Sequence, residues 1–237
     1  MTGESEQNVE VQRTEHKFIL NRREAGLLIR RLDNIMPRDA NSTGPDGYEI
    51  RSLYFDTLSD RSCVEKLDGL EVHEKVRARI YGTDDSVIKL ECTRKVGQNQ
   101  TKRSLLISRP LVEELSRGQY GGLLELEDPM ALQFFRKLSG GMLPKNIIQY
   151  QRLSFCLDTN NTRITFDSDI RSTESCMDLF QEPLLANPIL PAELVVLEVK
   201  FNNFLLEYME KALRSIHASP TSYSKYMNGR RFYRSMI

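Results

Sequence analysis

The 237-residue chain has no tryptophan, only three histidines and four cysteines, and no net charge. His16, His73 and His217 are scattered, so no pair is spaced to share a metal ion or to relay a proton. Cys63, Cys92, Cys156 and Cys176 lie far apart with no CxxC pair. That spacing argues against structural zinc and for reduced thiols in a cytoplasmic protein. The 33 basic and 33 acidic residues cancel, so overall charge steers the chain toward neither nucleic acid nor membrane. A basic site has to be made by local clustering. No run approaches the roughly 20 apolar residues of a membrane span, and no charged-then-apolar signal segment opens the sequence. There is no internal repeat.

What is present is enough for a packed core: 40% of the residues are hydrophobic, and the length suits one large domain or two small ones. Residues 1–12 are polar and expected to fray, and 13–237 read as a single domain. Alternation of apolar and polar residues predicts strands at Arg13–Leu20, Tyr48–Asp56, Val72–Lys95 (two strands and a turn), Lys102–Ser108, Asn146–Leu157, Thr162–Asp169 and Leu194–Phe201. Asn21, with Glu24 three residues on, predicts a capping box opening a short amphipathic helix. Further helices are expected at Pro110–Arg117, Pro129–Leu138 and, most clearly, Phe204–His217. Leu58–Gly69 and Met177–Pro191 read as connections, and Ser222–Phe232 as a short helix or turn. Neighbouring strands dominate, so the expected class is α+β: an antiparallel sheet that curls or closes, with helices packed outside.

The strands carry charge where a second apolar face would be. Alternate side chains of a strand share a face, so Arg77 and Arg79 go together, as do Lys89 and Glu91. Glu15 and Lys17, Lys102 or Arg103, Arg152, Arg163, Thr165 and Asp167, and Glu198 and Lys200 extend the pattern over the other strands. For one hairpin the ordinary reading is a solvated face with cross-strand ion pairs. Repetition on many strands points instead to a polar, basic interior. Cations in excess suit an anion of several charges, such as a chain of phosphates. Interspersed glutamates suit a divalent cation, Mn²⁺ or Mg²⁺. The chemistry expected of such a lining is phosphoryl transfer, which needs positioning and charge neutralisation more than a nucleophile. Asp167 and Asp169 are the kind of residue more often found in turns or caps.

Eight segments occur in a recognisable order: EHK at Glu15–Lys17, RSLYFDT at Arg51–Thr57, KVRARIYG at Lys75–Gly82, IKLECTRK at Ile88–Lys95, YQRLSF at Tyr150–Phe155, RITFDSDI at Arg163–Ile170, VLEVKF at Val196–Phe201 and SKYMNG at Ser224–Gly229. Together they resemble the polyphosphate polymerase (VTC) domain, a branch of the triphosphate tunnel metalloenzymes within the CYTH-like superfamily. The resemblance covers about Arg13 to Phe232. It implies an eight-stranded antiparallel β-barrel, or tunnel, with helices outside. It also implies a metal-dependent transferase that moves the γ-phosphate of ATP to a growing polyphosphate chain. By matching position, Lys17, Arg77, Arg79, Lys89, Arg103, Arg152, Lys200 and Lys225 would hold phosphates, with Arg77, Arg79, Lys89 and Lys200 as the catalytic set. Glu198 would hold the metal, helped by Glu91 and Glu15. The first strand departs from the wider superfamily's ExExK, since Arg13 stands at the first position; this is similar to the polymerase branch. The implied partners are ATP and polyphosphate, not nucleic acid, which leaves room for a membrane or scaffold partner. The other functions such a lining allows are a metal-dependent triphosphatase acting on inorganic triphosphate or nucleotide, and a non-catalytic module binding polyphosphate or inositol polyphosphates.

Overall fold

The structure is a computed structural model, and it describes residues 13–234 apart from 43, 98 and 215–217. The N-terminal dozen residues expected to fray lie outside the described residues. The chain runs β1 (Arg13–Asn21), α1 (Arg22–Leu32), β2 (Tyr48–Thr57), α2 (Arg61–Leu67), β3 (Val72–Tyr81), β4 (Asp84–Val96), β5 (Asn99–Ile107), α3 (Arg109–Ser116), α4 (Pro129–Ser139), β6 (Met142–Leu157), β7 (Thr162–Thr173), β8 (Asn187–Pro188), β9 (Leu194–Asn202), α5 (Glu207–Leu213) and α6 (Lys225–Arg234). Eight strands form one path, β1-β9-β7-β6-β2-β3-β4-β5, and the two-residue β8 pairs with β7. Every pairing is antiparallel. This is the expected α+β sheet. Its end strands β1 and β5 do not pair with each other among the described residues, so the tunnel keeps a seam. The curl shows in electrostatics: Lys75 of β3 feels the charge of Lys17 on β1, five strands away along the path.

The convex face is apolar and covered in two halves. Val76, Ala78, Ile80, Ile88 and Leu90 are at most 1% exposed and lie under α3 and α4 through Leu111, Leu115, Phe134 and Leu138. Leu153, Phe155, Ile164, Leu197 and Val199 lie under Leu28 and Leu32 of α1, Met209 of α5, and Leu205 just before α5. α1 starts as predicted: Glu24 donates its amide to Asn21 Oδ1 at 2.9 Å, and Asn21 returns the bond to Glu24 Oε2 at 3.2 Å. Arg30 and Arg31 in its last turn suit the helix dipole.

On the concave face a third cluster fills one end. Ile50, Tyr54, Ile148, Tyr150 and Val196 of the sheet meet Cys63 of α2 and Tyr226 of α6. The two helices therefore cap that end of the tunnel. A Cβ on Gly229 would stand 2.7 Å from Asn146 Nδ2 and 2.8 Å from Ser172 Oγ, so α6 approaches the sheet as only glycine permits.

Two expected elements differ. The connection Leu58–Gly69 contains α2. Its first amides are held from upstream, Arg61 by Thr57 Oγ1 at 3.0 Å and Ser62 by Asp56 Oδ1 at 3.0 Å. The helix expected over Phe204–His217 is shorter. Asn203 is left-handed (φ 59°), the carbonyl of Phe204 accepts from Asn160 Nδ2 at 2.8 Å, and Phe204 is 61% exposed. Ile216 and His217 lie outside the described residues. No helix among the described residues is long and apolar enough to cross a membrane.

Candidate functional site

Strand register decides which charges converge. Tyr54 and Ser52 of β2 lie opposite Arg77 and Arg79 of β3, which lie opposite Glu91 and Lys89 of β4. On the other wall, Glu15 and Lys17 of β1 lie opposite Lys200 and Glu198 of β9, which lie opposite Arg163 and Thr165 of β7. Arg152 of β6 faces Asp167 of β7. All these residues share the concave face.

Three carboxylates organise the cations. Glu91 is 1% exposed; Arg77 Nε lies 2.8 Å and Arg79 Nε 3.8 Å from its Oε2, and Lys102 binds Oε1. Burial alone would raise its pKa, but Arg77, Arg79 and Lys102 outweigh that and hold it at about 2. Asp167 accepts two bonds from Arg152, both 2.7 Å, and one of 2.5 Å from Lys225. These partners overcome its burial and hold it at about 2. Glu198 lies 2.8 Å from Lys200, 3.7 Å from Lys17 and 4.0 Å from Arg152. Its pKa falls well below the usual range, because Lys200 and Lys17 prevail over burial. Glu15 shares the same two lysines, at 2.8 Å from Lys17 and 3.7 Å from Lys200. Lys17 is raised in turn: burial opposes it, and Glu198 and Glu15 win.

Aromatic faces back the cations. Arg152 and Lys225 sit over Tyr150 at 5.2 and 4.7 Å, and Lys89 sits over Tyr81 at 5.7 Å. Lys225 opens α6, so a residue from the capping helix enters the tunnel wall. Lys17, Lys200 and Arg77 keep 22–27% of their side chains exposed. An anion entering the tunnel therefore meets cations without unfolding anything.

The structure thus gathers Lys17, Arg77, Arg79, Lys89, Arg152, Lys200 and Lys225 on one face. Arg103 is a correction. It lies opposite Cys92 of β4 on the convex side and bonds Gln133 of α4, while its neighbour Lys102 points inward to Glu91. Glu91 is a second correction: among the described residues no three His, Cys, Asp or Glu side chains are grouped to hold a metal ion. Glu15 and Glu198 adjoin through their shared lysines, whereas Glu91 is enclosed by its own three cations. Lys66 and Lys75 were absent from the expected set, Lys102 takes the inward place given to Arg103, and Asp167 is an ion-pair hub rather than a turn residue. Lys75 follows the alternation of Arg77 and Arg79. Lys66 sits on the unanticipated α2.

The VTC domain model matches residues 12–234. The chain belongs to the VTC domain family. Among solved structures, it is similar to a "putative adenylate cyclase" of Bacillus halodurans, with a TM-score of 0.53 and 12% identity, covering 94% of this chain and 99% of that one. Another protein so described, from Vibrio parahaemolyticus, gives a TM-score of 0.45 and 10% identity over 91% and 96% of the two chains. The PH1819 protein of Pyrococcus horikoshii gives 0.45 and 13% over 93% and 100%. No curated protein matches the sequence. The VTC membership and the tunnel-like architecture agree with the concave basic lining.

Proposed function

We propose that this VTC domain is an ATP-dependent polyphosphate polymerase, transferring the γ-phosphoryl group of ATP to the end of a phosphate chain in the tunnel and releasing ADP. The observation that supports it most is the concave ring of Lys17, Arg77, Arg79, Lys89, Arg152, Lys200 and Lys225 around carboxylates held ionised. Such a wall neutralises several phosphates in a row, and phosphoryl transfer asks mainly for positioning and charge neutralisation. Arg77 and Arg79 present guanidinium forks to phosphate oxygens. Lys17 and Lys200 are held in place by Glu15 and Glu198 until an anion takes over their ammonium groups. Tyr150 fixes Arg152 and Lys225 from below.

Glu198 and Glu15 are the residues that would hold a divalent cation, Mn²⁺ or Mg²⁺. Their all-oxygen, two-carboxylate set fits an ion that takes its remaining ligands from water and phosphate. Such an ion, if bound there, would offset the negative charge of the phosphates. Glu91, saturated by Arg77, Arg79 and Lys102, does not fit that role.

The test is incubation of the purified protein with ATP and Mn²⁺, with products resolved by gel and phosphorus NMR. Long polyphosphate with matching ADP, lost in Glu198→Gln, is the expected result. Orthophosphate alone would replace this reading with a triphosphatase. Tight polyphosphate binding without turnover would replace it with a binding module.

A further inference from the structure

Outside the Glu91, Asp167 and Glu198 clusters, no ion pair joins Lys66 or Lys75 to a carboxylate among the described residues. Lys75 of β3 makes one polar contact, donating from Nζ to Ser224 Oγ at 3.0 Å. Lys66 of α2 is half-buried, and its strongest charged neighbours are Lys17 and Lys95, both cations. The carboxylate whose field reaches it is Glu15, already shared by Lys17 and Lys200. Ser224 is buried (5% exposed) and precedes α6, where its carbonyl accepts from the amide of Asn228 at 2.9 Å. The positive end of α6 thus adds to the same space.

We propose that Lys66, Lys75 and Ser224 form a second anion subsite at the capped end of the tunnel, taking a phosphate group beyond those held by Arg77, Arg152 and Lys225. The proposal rests on the reading of the tunnel as a polyphosphate site, which it extends toward the cap. Like charges gathered in a half-buried place are costly unless an anion joins them. A phosphate oxygen there would accept from both ammonium groups and the Ser224 hydroxyl at once.

Proton linkage gives the subsite its own signature. Burial, then Lys66, Lys17 and Arg77, lower the Lys75 pKa to about 7. The groups facing it are Lys66 and Cys63 of α2, Lys17 of β1, Arg77 and His73 of its own strand, and Ser224; Lys95 of β4 faces Lys66 beside it. The lowered pKa leaves Lys75 mostly neutral at pH 8. An arriving phosphate favours the charged form, so binding takes up a proton. A proton gained or lost by the phosphate chain itself is common to wild type and Lys75→Met, so the difference in uptake between the two belongs to Lys75.

The experiment is calorimetric titration of the full chain with tripolyphosphate at pH 8, in two buffers of different ionisation enthalpy. Wild type is expected to take up close to one proton more per bound chain than Lys75→Met. Lys75→Met should lose that uptake and weaken binding about tenfold. Lys75→Arg, always charged, should keep the affinity and lose the uptake. Lys66→Met should weaken binding and reduce the uptake, since Lys75 loses its strongest repelling charge. Orthophosphate producing the same Lys75-dependent uptake would support the subsite with the free anion as occupant; uptake with tripolyphosphate alone would support it with the chain. Unchanged affinity and uptake in Lys75→Met would overturn the subsite and leave the polyphosphate reading standing. Failure of wild type to bind any phosphate chain would overturn both.

Discussion

Asp60 and Glu198 are each buried carboxylates with three cations, yet they do different things. Asp60, at the corner between β2 and α2, receives Arg230 at 2.7 Å, Lys145 at 3.4 Å and Arg234. Two of those cations belong to α6, so the cluster ties the capping helix to the sheet. Among the described residues Lys145 has no second carboxylate. Glu198 has cations with alternatives: Lys17 and Lys200 also bind Glu15, and Arg152 also binds Asp167. Removing Asp60 strands the buried Lys145, although Arg230 keeps Glu174. A cation with two partners can be lent to a ligand. The composition is the same, and connectivity separates a latch from a binding site.

The largest effect should come from breaking the latch. Asp60→Asn leaves Lys145 buried without its carboxylate, and the loss should be about 3 kcal/mol. Differential scanning calorimetry should show melting lowered by roughly 6–12 °C. Activity should fall with it, because α6 carries Lys225. A melting temperature within a degree of wild type would undo the distinction between the clusters. Glu198→Gln should do the reverse: about a hundredfold loss of turnover with ATP and Mn²⁺, and little change in melting, because its cations keep their other partners. Tyr226→Phe tests the latch more gently. Its hydroxyl donates to Asp56 Oδ2 at 2.7 Å, and losing that buried bond should cost about 1–2 kcal/mol, read as a small shift in the urea midpoint. Its ring would still stack on Tyr54.

Much of this was legible in the sequence, for identifiable reasons. The strands announce themselves because one face is apolar throughout, as in Val76, Ala78 and Ile80. The cap of α1 is local, with both partners three residues apart. The basic concave face follows from the same alternation. What escaped depends on contacts between distant segments. α2 is opened by Asp56 and Thr57, which belong to a strand, and its seven residues show little periodicity. The role of Asp167 depends on Arg152 and Lys225 arriving from β6 and α6. The seam between β1 and β5 is a matter of long-range pairing. The separation of Glu91 from Glu15 and Glu198 depends on which strands face each other across the curl.

Arg103 is different, because the signal was in the sequence. Arg103 alternates with Leu105 and Ile107, which are 9% and 8% exposed and belong to the convex core. A residue in phase with a buried apolar pair lies on their face. Lys102, in phase with Ser104 and the exposed Leu106, must point the other way. The smallest predicted effect follows from that phase. Arg103→Ala removes a bond to Gln133 on an exposed surface and should change tripolyphosphate affinity by less than about twofold. Lys102→Ala removes one of the three cations on Glu91, and the same titration should show binding weakened about fivefold. If the two variants traded places, β5 would present its other face to the tunnel, and the pairing of Glu91 with Lys102 would have to be abandoned.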